Sequence, residues 1–170
     1  MNKNWSFIKK HGFNIVCVMI VATSILYSIF LGTVVVKGSS MEPTYSTGDI
    51  ALLRRDNKKI DYGDMVTIDG DKLGESLDSD FNDMIKRVIG TPGQKVAIID
   101  NDVYIDDVLL EEDYIRSGNV DYIDFEIQLG DEEFFVMGDN RDFSMDSRIF
   151  GPITRDMING YTLFTIKKAK

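Results

Sequence analysis

The sequence has almost none of the side chains from which metal sites and histidine-activated nucleophiles are built. It contains one histidine, His11, and one cysteine, Cys17, among 170 residues. A Ser-His-Asp triad needs a histidine beside its serine, a zinc site needs several His or Cys ligands, and an intrachain disulfide needs two cysteines. His11 precedes a long apolar run and Cys17 lies inside it. We therefore expect no metal, no disulfide and no histidine-activated serine.

Proline and low-complexity segments are also scarce. There are three prolines, and no repeat of solenoid or propeller length is present. Hydrophobic residues make up 44% and charged residues 28%, which is typical of a globular chain. The sequence thus predicts one folded body without a long internal linker.

Acidic residues are absent from the first 41 positions. Residues 37–170 contain all 28 acidic residues and 16 of the 19 basic ones, which leaves a net charge of −12. Such a body repels a phosphate backbone, so we expect no nucleic-acid partner. The first ten residues, by contrast, carry Lys3, Lys9 and Lys10.

Residues 12–36 form an uncharged apolar run, GFNIVCVMIVATSILYSIFLGTVVV. About 20 helical residues cross a bilayer core, so this run predicts a single transmembrane anchor. A cleaved secretory signal is the alternative, but its apolar centre usually has only about 7–15 residues. A second alternative is a buried core helix, which rarely lacks charged residues over so many positions. The preceding lysines predict a cytoplasmic tail at 1–11, an anchor at 12–36 in the cell membrane and an extracytoplasmic domain at 37–170.

The body after the anchor shows short β-rich segments separated by turn residues. This pattern predicts a mainly β fold of antiparallel sheets. We expect a surface loop at 70–83, a second excursion at 107–123 that could include a helical turn, and a hairpin turn at Asn101-Asp102. The predicted strands are IALLRR (50–55), DMVTI (64–68), MIKRVIG (84–90), KVAIID (95–100), VYIDD (103–107), DFEIQL (124–129), EFFVMG (133–138) and GYTLFTI (160–166).

Residues 38–44, GSSMEPT, are a candidate for a nucleophile turn. Pro43 restricts the backbone, and Gly38 permits a positive φ or a close approach. A serine on such a turn has a fixed orientation and a backbone N–H beside it for an oxyanion. Without a histidine, its base would have to be a lysine. The alternative is that Ser39 and Ser40 simply cap a turn.

Lys86 is the lysine best placed to lose its charge. A lysine base must be neutral, and burial lowers its ordinary pKa of about 10.4. Strand alternation in MIKRVIG places Met84, Lys86 and Val88 on one face. The alternative is an ordinary lysine on an edge strand.

A third polar segment, MGDNRDFSMDSRIFGPI (137–153), is bounded by apolar residues. Its short hydrogen-bonding side chains suit a network that holds other groups in place, or a solvated turn. They are Asp139, Asn140, Arg141, Asp142, Ser144, Asp146, Ser147 and Arg148.

GSSMEPT, KRVIGTPG and GDNRDFSMDSR, in this order behind an anchor, closely resemble the bacterial type I signal peptidases, and TGDI and YGDMV also resemble that family. The resemblance implies an antiparallel β body in which Ser40 is the nucleophile and Lys86 the general base. It implies that Ser144 hydrogen-bonds the lysine, that Asp146 and Arg148 form a supporting ion pair, and that Asp139, Asn140 and Arg141 shape the loop. Gly38 stands where some members carry a serine that helps to hold the oxyanion, which resembles the smaller Gram-positive type.

The resemblance also implies that signal peptides of exported preproteins, and the bilayer, are the partners. We expect an extended peptide to bind against exposed strand edges, without a cofactor. Val34, Val36, Met41 and Ile85 are expected to line shallow pockets for small side chains at the first and third positions before the cut. The alternatives are a Ser-Lys self-cleaving regulator and a non-catalytic assembly factor on the same scaffold.

Overall fold

The described part of the protein, represented by a computed structural model, contains an N-terminal helix, two antiparallel sheets and several short helices. The structure describes residues 3–55, 59–77, 82–115 and 123–167. Two single-turn 3₁₀ helices cover Arg141–Phe143 and Arg155–Met157. The helices and strands are α1 (Lys3–Phe30), β1 (Leu31–Val35), β2 (Ile50–Arg54), β3 (Met65–Ile68), α2 (Gly70–Leu77), β4 (Met84–Gly90), β5 (Lys95–Ile99), β6 (Asp102–Ile105), β7 (Val108–Leu109), β8 (Phe125–Gln128), β9 (Glu133–Met137), α3 (Ser147–Phe150), β10 (Ile153–Thr154) and β11 (Ile158–Ile166).

Helix α1 is long and apolar enough to cross a membrane. Its segment His11–Phe30 has a mean hydropathy of 2.2 and no part of it is buried in the protein. The helix ends at Phe30, six residues before the predicted end of the anchor. Residues 31–35 form β1 instead and pair with β2. The physical reason is that β-branched residues such as those at 33–36 favour strands, and that a partner strand is available.

The strands form two sheets in which all described pairs are antiparallel. The seven-stranded sheet has the order β1-β2-β11-β3-β4-β9-β10, and the four-stranded sheet has the order β7-β6-β5-β8. Each of the eight predicted segments contains a strand, which confirms the predicted mainly β fold. The sequence did not predict the short strands β7 and β10, nor β1.

A buried cluster joins the two sheets. Ile89 and Phe135 of the large sheet pack against Val96 and Ile98 of the small one. Gly90 permits this approach, because a Cβ there would lie 2.6 Å from Val96 Cγ2. The small sheet is therefore fixed against β4, the strand that carries the candidate base.

The predicted loop at 70–83 is wrong in its first half, because Gly70–Leu77 forms α2. Asp83 Oδ1 accepts a hydrogen bond from the Gly70 N–H at 3.0 Å, and Leu73 is buried in the core. This cap comes from 13 residues away and has no local sequence signal. Residues 78–81 of the predicted loop lie outside the described part of the chain.

The predicted hairpin turn is displaced by one residue. Asp100 and Asn101 form the two-residue turn between β5 and β6, with φ values of 51° and 71°. Short acidic and amide side chains tolerate this left-handed conformation, which such hairpin turns require. In the predicted excursion at 107–123, Val108–Leu109 forms β7, no helix occurs among its described residues, and residues 116–122 lie outside them.

Candidate active site

Ser40 and Lys86, 46 positions apart in the sequence, meet at hydrogen-bonding distance. Lys86 Nζ lies 2.9 Å from Ser40 Oγ. Lys86 lies on β4 opposite Val66 of β3, and it is only 3% exposed. An interior strand of the large sheet thus holds a buried amine against one hydroxyl.

Burial lowers the pKa of Lys86 to about 8. Desolvation is the largest cause, and the positive charge of Arg148 adds to it. The carboxylates of Asp146 and Asp139 act in the opposite direction, because they stabilise the ammonium. With a pKa near 8, roughly a tenth of the Lys86 side chains are neutral at pH 7, compared with about one in 2,500 for an ordinary lysine.

The turn that carries Ser40 is held by its own backbone and by its buried methionine. Gly38 has a φ of 83°, and the Glu42–Pro43 peptide bond is cis. The Glu42 N–H donates to the Ser39 carbonyl at 3.0 Å. Met41, which is 2% exposed, anchors the turn in a small core.

The loop that follows β9 is hydrogen-bonded to this turn. The Asn140 N–H donates to the Ser40 carbonyl at 3.0 Å, and Asn140 Nδ2 donates to the Ser39 carbonyl at 3.0 Å. Gly138 permits the close approach, because a Cβ there would overlap the Ser40 carbonyl oxygen and Ser144 Oγ. The polar segment therefore acts as a network and not as a solvated turn.

Asp146 and Arg148 form the ion pair that the resemblance implies. Arg148 Nε donates to Asp146 Oδ1 at 2.7 Å, and its Nη2 donates to Oδ2 at 2.8 Å. Asp146 is fully buried and also accepts from the Gly138 N–H at 2.9 Å. This pair thus fixes the glycine that touches the nucleophile turn.

Arg87 is a site residue that the sequence analysis missed. Its Nε and Nη2 donate to the two carboxylate oxygens of Asp139 at 2.8 and 2.6 Å, and Thr44 Oγ1 also donates to Asp139. Tyr114 lies over the guanidinium, 3.8 Å from ring centroid to Cζ. A basic residue beside the candidate base was the only sequence signal for it.

Glu112 is a second missed residue. Arg141 Nη1 donates to Glu112 Oε2 at 2.8 Å, and the two side chains are 5% and 7% exposed. Arg141 Nε also donates to the Gly138 carbonyl at 3.1 Å. Glu112 lies in the connection between β7 and β8, where no local pattern distinguishes it from its acidic neighbours.

Ser144 does not make the hydrogen bond that the resemblance implies. Its Oγ is buried and has no hydrogen-bond partner among the described residues. The Lys86 amine is directed at Ser40 instead. Ser144 nevertheless lies against Gly138, within the same loop.

A cleft of about 790 Å³ opens beside Ser40. It brings together the four residues predicted to line substrate pockets, namely Val34, Val36, Met41 and Ile85. Strand β1 is at the edge of its sheet, and β4 pairs with β9 only from residue 87 onward, so each has an edge here without a strand partner among the described residues. Within the described part of the chain, no three His, Cys, Asp or Glu side chains are grouped to hold a metal.

An antiparallel β body that brings a serine hydroxyl to a buried lysine amine, beside a cleft with open strand edges, has the arrangement of a Ser-Lys serine protease. Comparison with known families agrees with this class. Residues 8–166 match the family described as signal peptidase, peptidase S26, and the chain belongs to that family.

Relatives from Gram-positive bacteria confirm the predicted resemblance. The chain is 33% identical over 131 residues to signal peptidase I U of Bacillus subtilis, covering 71% of this chain and 66% of that protein. It is 30% identical over 166 residues to signal peptidase I S of the same organism, covering 90% and 80%. A solved signal peptidase I from Enterococcus faecalis V583 is 30% identical with a TM-score of 0.51, covering 62% of this chain and 98% of the solved chain.

Proposed function

We propose that this protein is a membrane-anchored serine endopeptidase that removes N-terminal signal peptides from exported preproteins. The observation that carries the proposal is the 2.9 Å contact between Ser40 Oγ and the buried Lys86 amine. Membership of the signal peptidase family supports it.

In the proposed reaction, Ser40 Oγ attacks the carbonyl carbon of the scissile peptide bond. Neutral Lys86 accepts the hydroxyl proton during the attack, and the resulting ammonium returns a proton to the departing amine. The C–N bond breaks and an ester joins the signal peptide to Ser40. Water then attacks this ester with Lys86 again as base, which releases the peptide as a free acid. The Ser40 backbone N–H is the proposed oxyanion donor, since Gly38 has no side chain to assist.

Asn140, Asp146 and Arg148 are proposed as the residues that position the dyad. Asn140 holds the backbone at Ser40, and the buried ion pair holds the loop that carries Asn140. Ser144 remains a predicted partner of Lys86. Its hydrogen bond to the Lys86 amine would have to form when substrate binds or when the amine becomes protonated. The open strand edges of β1 and β4 beside the cleft support binding of an extended peptide between these two strands.

The proposed topology places residues 1–11 in the cytoplasm and residues 37–170 outside it. From Phe30, where α1 ends, ten residues reach Ser40 and span at most about 36 Å. The nucleophile would therefore stay close to the outer membrane surface, where the cleavage site of a signal peptide emerges. Confinement of both chains to one plane raises their effective concentration.

Cleavage of a preprotein by the purified full-length chain tests the proposal. The wild type should release the mature protein, whereas Ser40→Ala should show no detectable cleavage and Ser39→Ala should keep most of the activity. Normal cleavage by Ser40→Ala would exclude Ser40 as nucleophile. Cleavage of its own chain but of no preprotein would favour the self-cleaving regulator, and no cleavage at all by the wild type would favour the assembly factor.

A further inference from the structure

Thr67 of β3 has a buried hydroxyl group that lacks a hydrogen-bond partner in the part of the chain that the structure describes. The residue is 3% exposed, and its Oγ1 makes no hydrogen bond to any of the described residues. Buried hydroxyls almost always pair, because an unpaired one loses its hydration without compensation. Such a group in a binding cleft is a candidate anchor for a polar ligand atom.

Thr67 lies in the wall of the active-site cleft. It pairs directly with Ile85, so that the two side chains share one face of the sheet, and both line the cleft. Ile85 in turn packs with Val36 and Met41. The Thr67 hydroxyl thus lies beside an apolar cluster in the cleft lining. The charged and amide residues of the lining are Lys37, Asp71, Asn82 and Asp83.

We propose that Thr67 is a specificity-determining residue that favours peptides with a small hydroxyl side chain, serine or threonine, at one of the positions facing this wall. The inference rests on the proposed function. An extended peptide in the cleft turns alternate side chains to the wall, so only positions of one parity before the cut qualify. Staggered χ1 states exchange the methyl and hydroxyl of Thr67, which lets Oγ1 turn toward a bound peptide.

A peptide serine above Thr67 forms a hydrogen bond that alanine cannot. The net value of one such bond corresponds to roughly a 2- to 13-fold preference in kcat/KM for serine over alanine. Valine has nearly the shape of threonine but no hydroxyl, so Thr67→Val should remove this preference while the pocket keeps its volume.

The test compares Ala-to-Ser substitutions at each of the five positions before the cut in one preprotein, using full-length wild type and Thr67→Val. At one position the Ser/Ala ratio of kcat/KM should fall roughly 2- to 13-fold in the variant. Thr162→Val is the matched control, because the Thr162 hydroxyl is also buried and unpaired among the described residues but lies outside the cleft lining. It should leave every ratio unchanged.

The outcomes separate this inference from the proposed function. The inference alone fails if the wild type cleaves these preproteins but Thr67→Val changes no Ser/Ala ratio of kcat/KM. It also fails if the variant changes the ratios at adjacent positions equally, because Thr67 then does not recognise one peptide side chain. If Thr162→Val changes the same ratio, the effect is a general loss of packing, and the inference fails again. If the wild type cleaves none of the peptides, both proposals fail.

Discussion

At the scale of single residues, the proposed chemistry depends on the charge of one amine. Lys86 is buried on β4, an interior strand of the large sheet, and its pKa falls to about 8 because desolvation outweighs the nearby carboxylates. Without those carboxylates the pKa of Lys86 would be lower still, so desolvation and the carboxylate charges act in opposite directions on it. A moderate pKa keeps the neutral form accessible while the amine remains a strong enough base.

We predict that kcat/KM rises about tenfold per pH unit below pH 8 and levels off above it. The sign follows from the proposed mechanism, in which the neutral form of Lys86 is active and its fraction grows with pH up to the pKa of about 8. Cleavage rates from pH 5.5 to 9.5 at low substrate concentration measure this. Lys86→Arg, which stays charged over this range, should be inactive at every pH. A profile with its acid limb below pH 6 would mean that another group is the base.

At the scale of structural elements, the nucleophile turn and the loop after β9 support each other. Two hydrogen bonds from Asn140 reach the carbonyls of Ser39 and Ser40. The contact depends on a glycine at position 138, since the Ser40 carbonyl occupies the space a side chain would need. The proposed nucleophile is therefore held by a loop about 100 residues away.

We predict that Gly138→Ala lowers kcat by about 100-fold, because a misplacement of about 1 Å is enough for such a loss. The added Cβ would lie 2.6 Å from Ser144 Cβ and overlap the Ser40 carbonyl. Overpacking should also lower the free energy of unfolding by about 1–3 kcal/mol. Single-turnover cleavage and thermal unfolding measure the two effects.

Gly130→Ala, before the other end of β9, is the matched control. There the nearest atom to a new Cβ is the flexible Glu133 carboxylate at 3.3 Å. Its activity should stay near that of the wild type. Equal losses in the two variants would show that any alanine near β9 disturbs the enzyme and that the contact with Ser40 is not special.

At the scale of the whole molecule, the small sheet contributes to the site through one connection. Glu112, between β7 and β8, accepts hydrogen bonds from Arg141, and Tyr114 covers Arg87. These arginines hold Gly138 and Asp139. The two sheets are thus joined by the core around Ile89. The contacts of Glu112 with Arg141 and of Tyr114 with Arg87 also connect the small sheet to the loop after β9.

We predict that Glu112→Gln lowers the free energy of unfolding by about 1–3 kcal/mol and lowers kcat more than it changes KM. The amide keeps the shape but leaves the buried Arg141 charge without its carboxylate. Glu111→Gln, at the exposed neighbouring position, should change neither quantity. Denaturant unfolding and steady-state cleavage provide the measurements, and indistinguishable behaviour of the two variants would contradict the role of this connection.

Local patterns predicted most strands, because alternation and turn residues are read within a few positions. They also singled out GSSMEPT, Lys86 and the loop at 137–153. Helix α2 and the end of α1 at Phe30 were not predicted, since each depends on a partner distant in sequence: Asp83 for α2, and strand β2 for the segment after α1. Arg87 and Glu112 were missed for the same reason.

The sequence alone determined that no histidine could serve the serine, that an apolar segment precedes the body, and that the body consists of short strands, since composition and local periodicity decide these properties. Only the tertiary structure decided that Lys86 is buried with its amine 2.9 Å from Ser40 Oγ, and that Glu112 accepts a hydrogen bond from Arg141. Burial and distance arise when segments far apart in the chain pack together, and no local pattern encodes them.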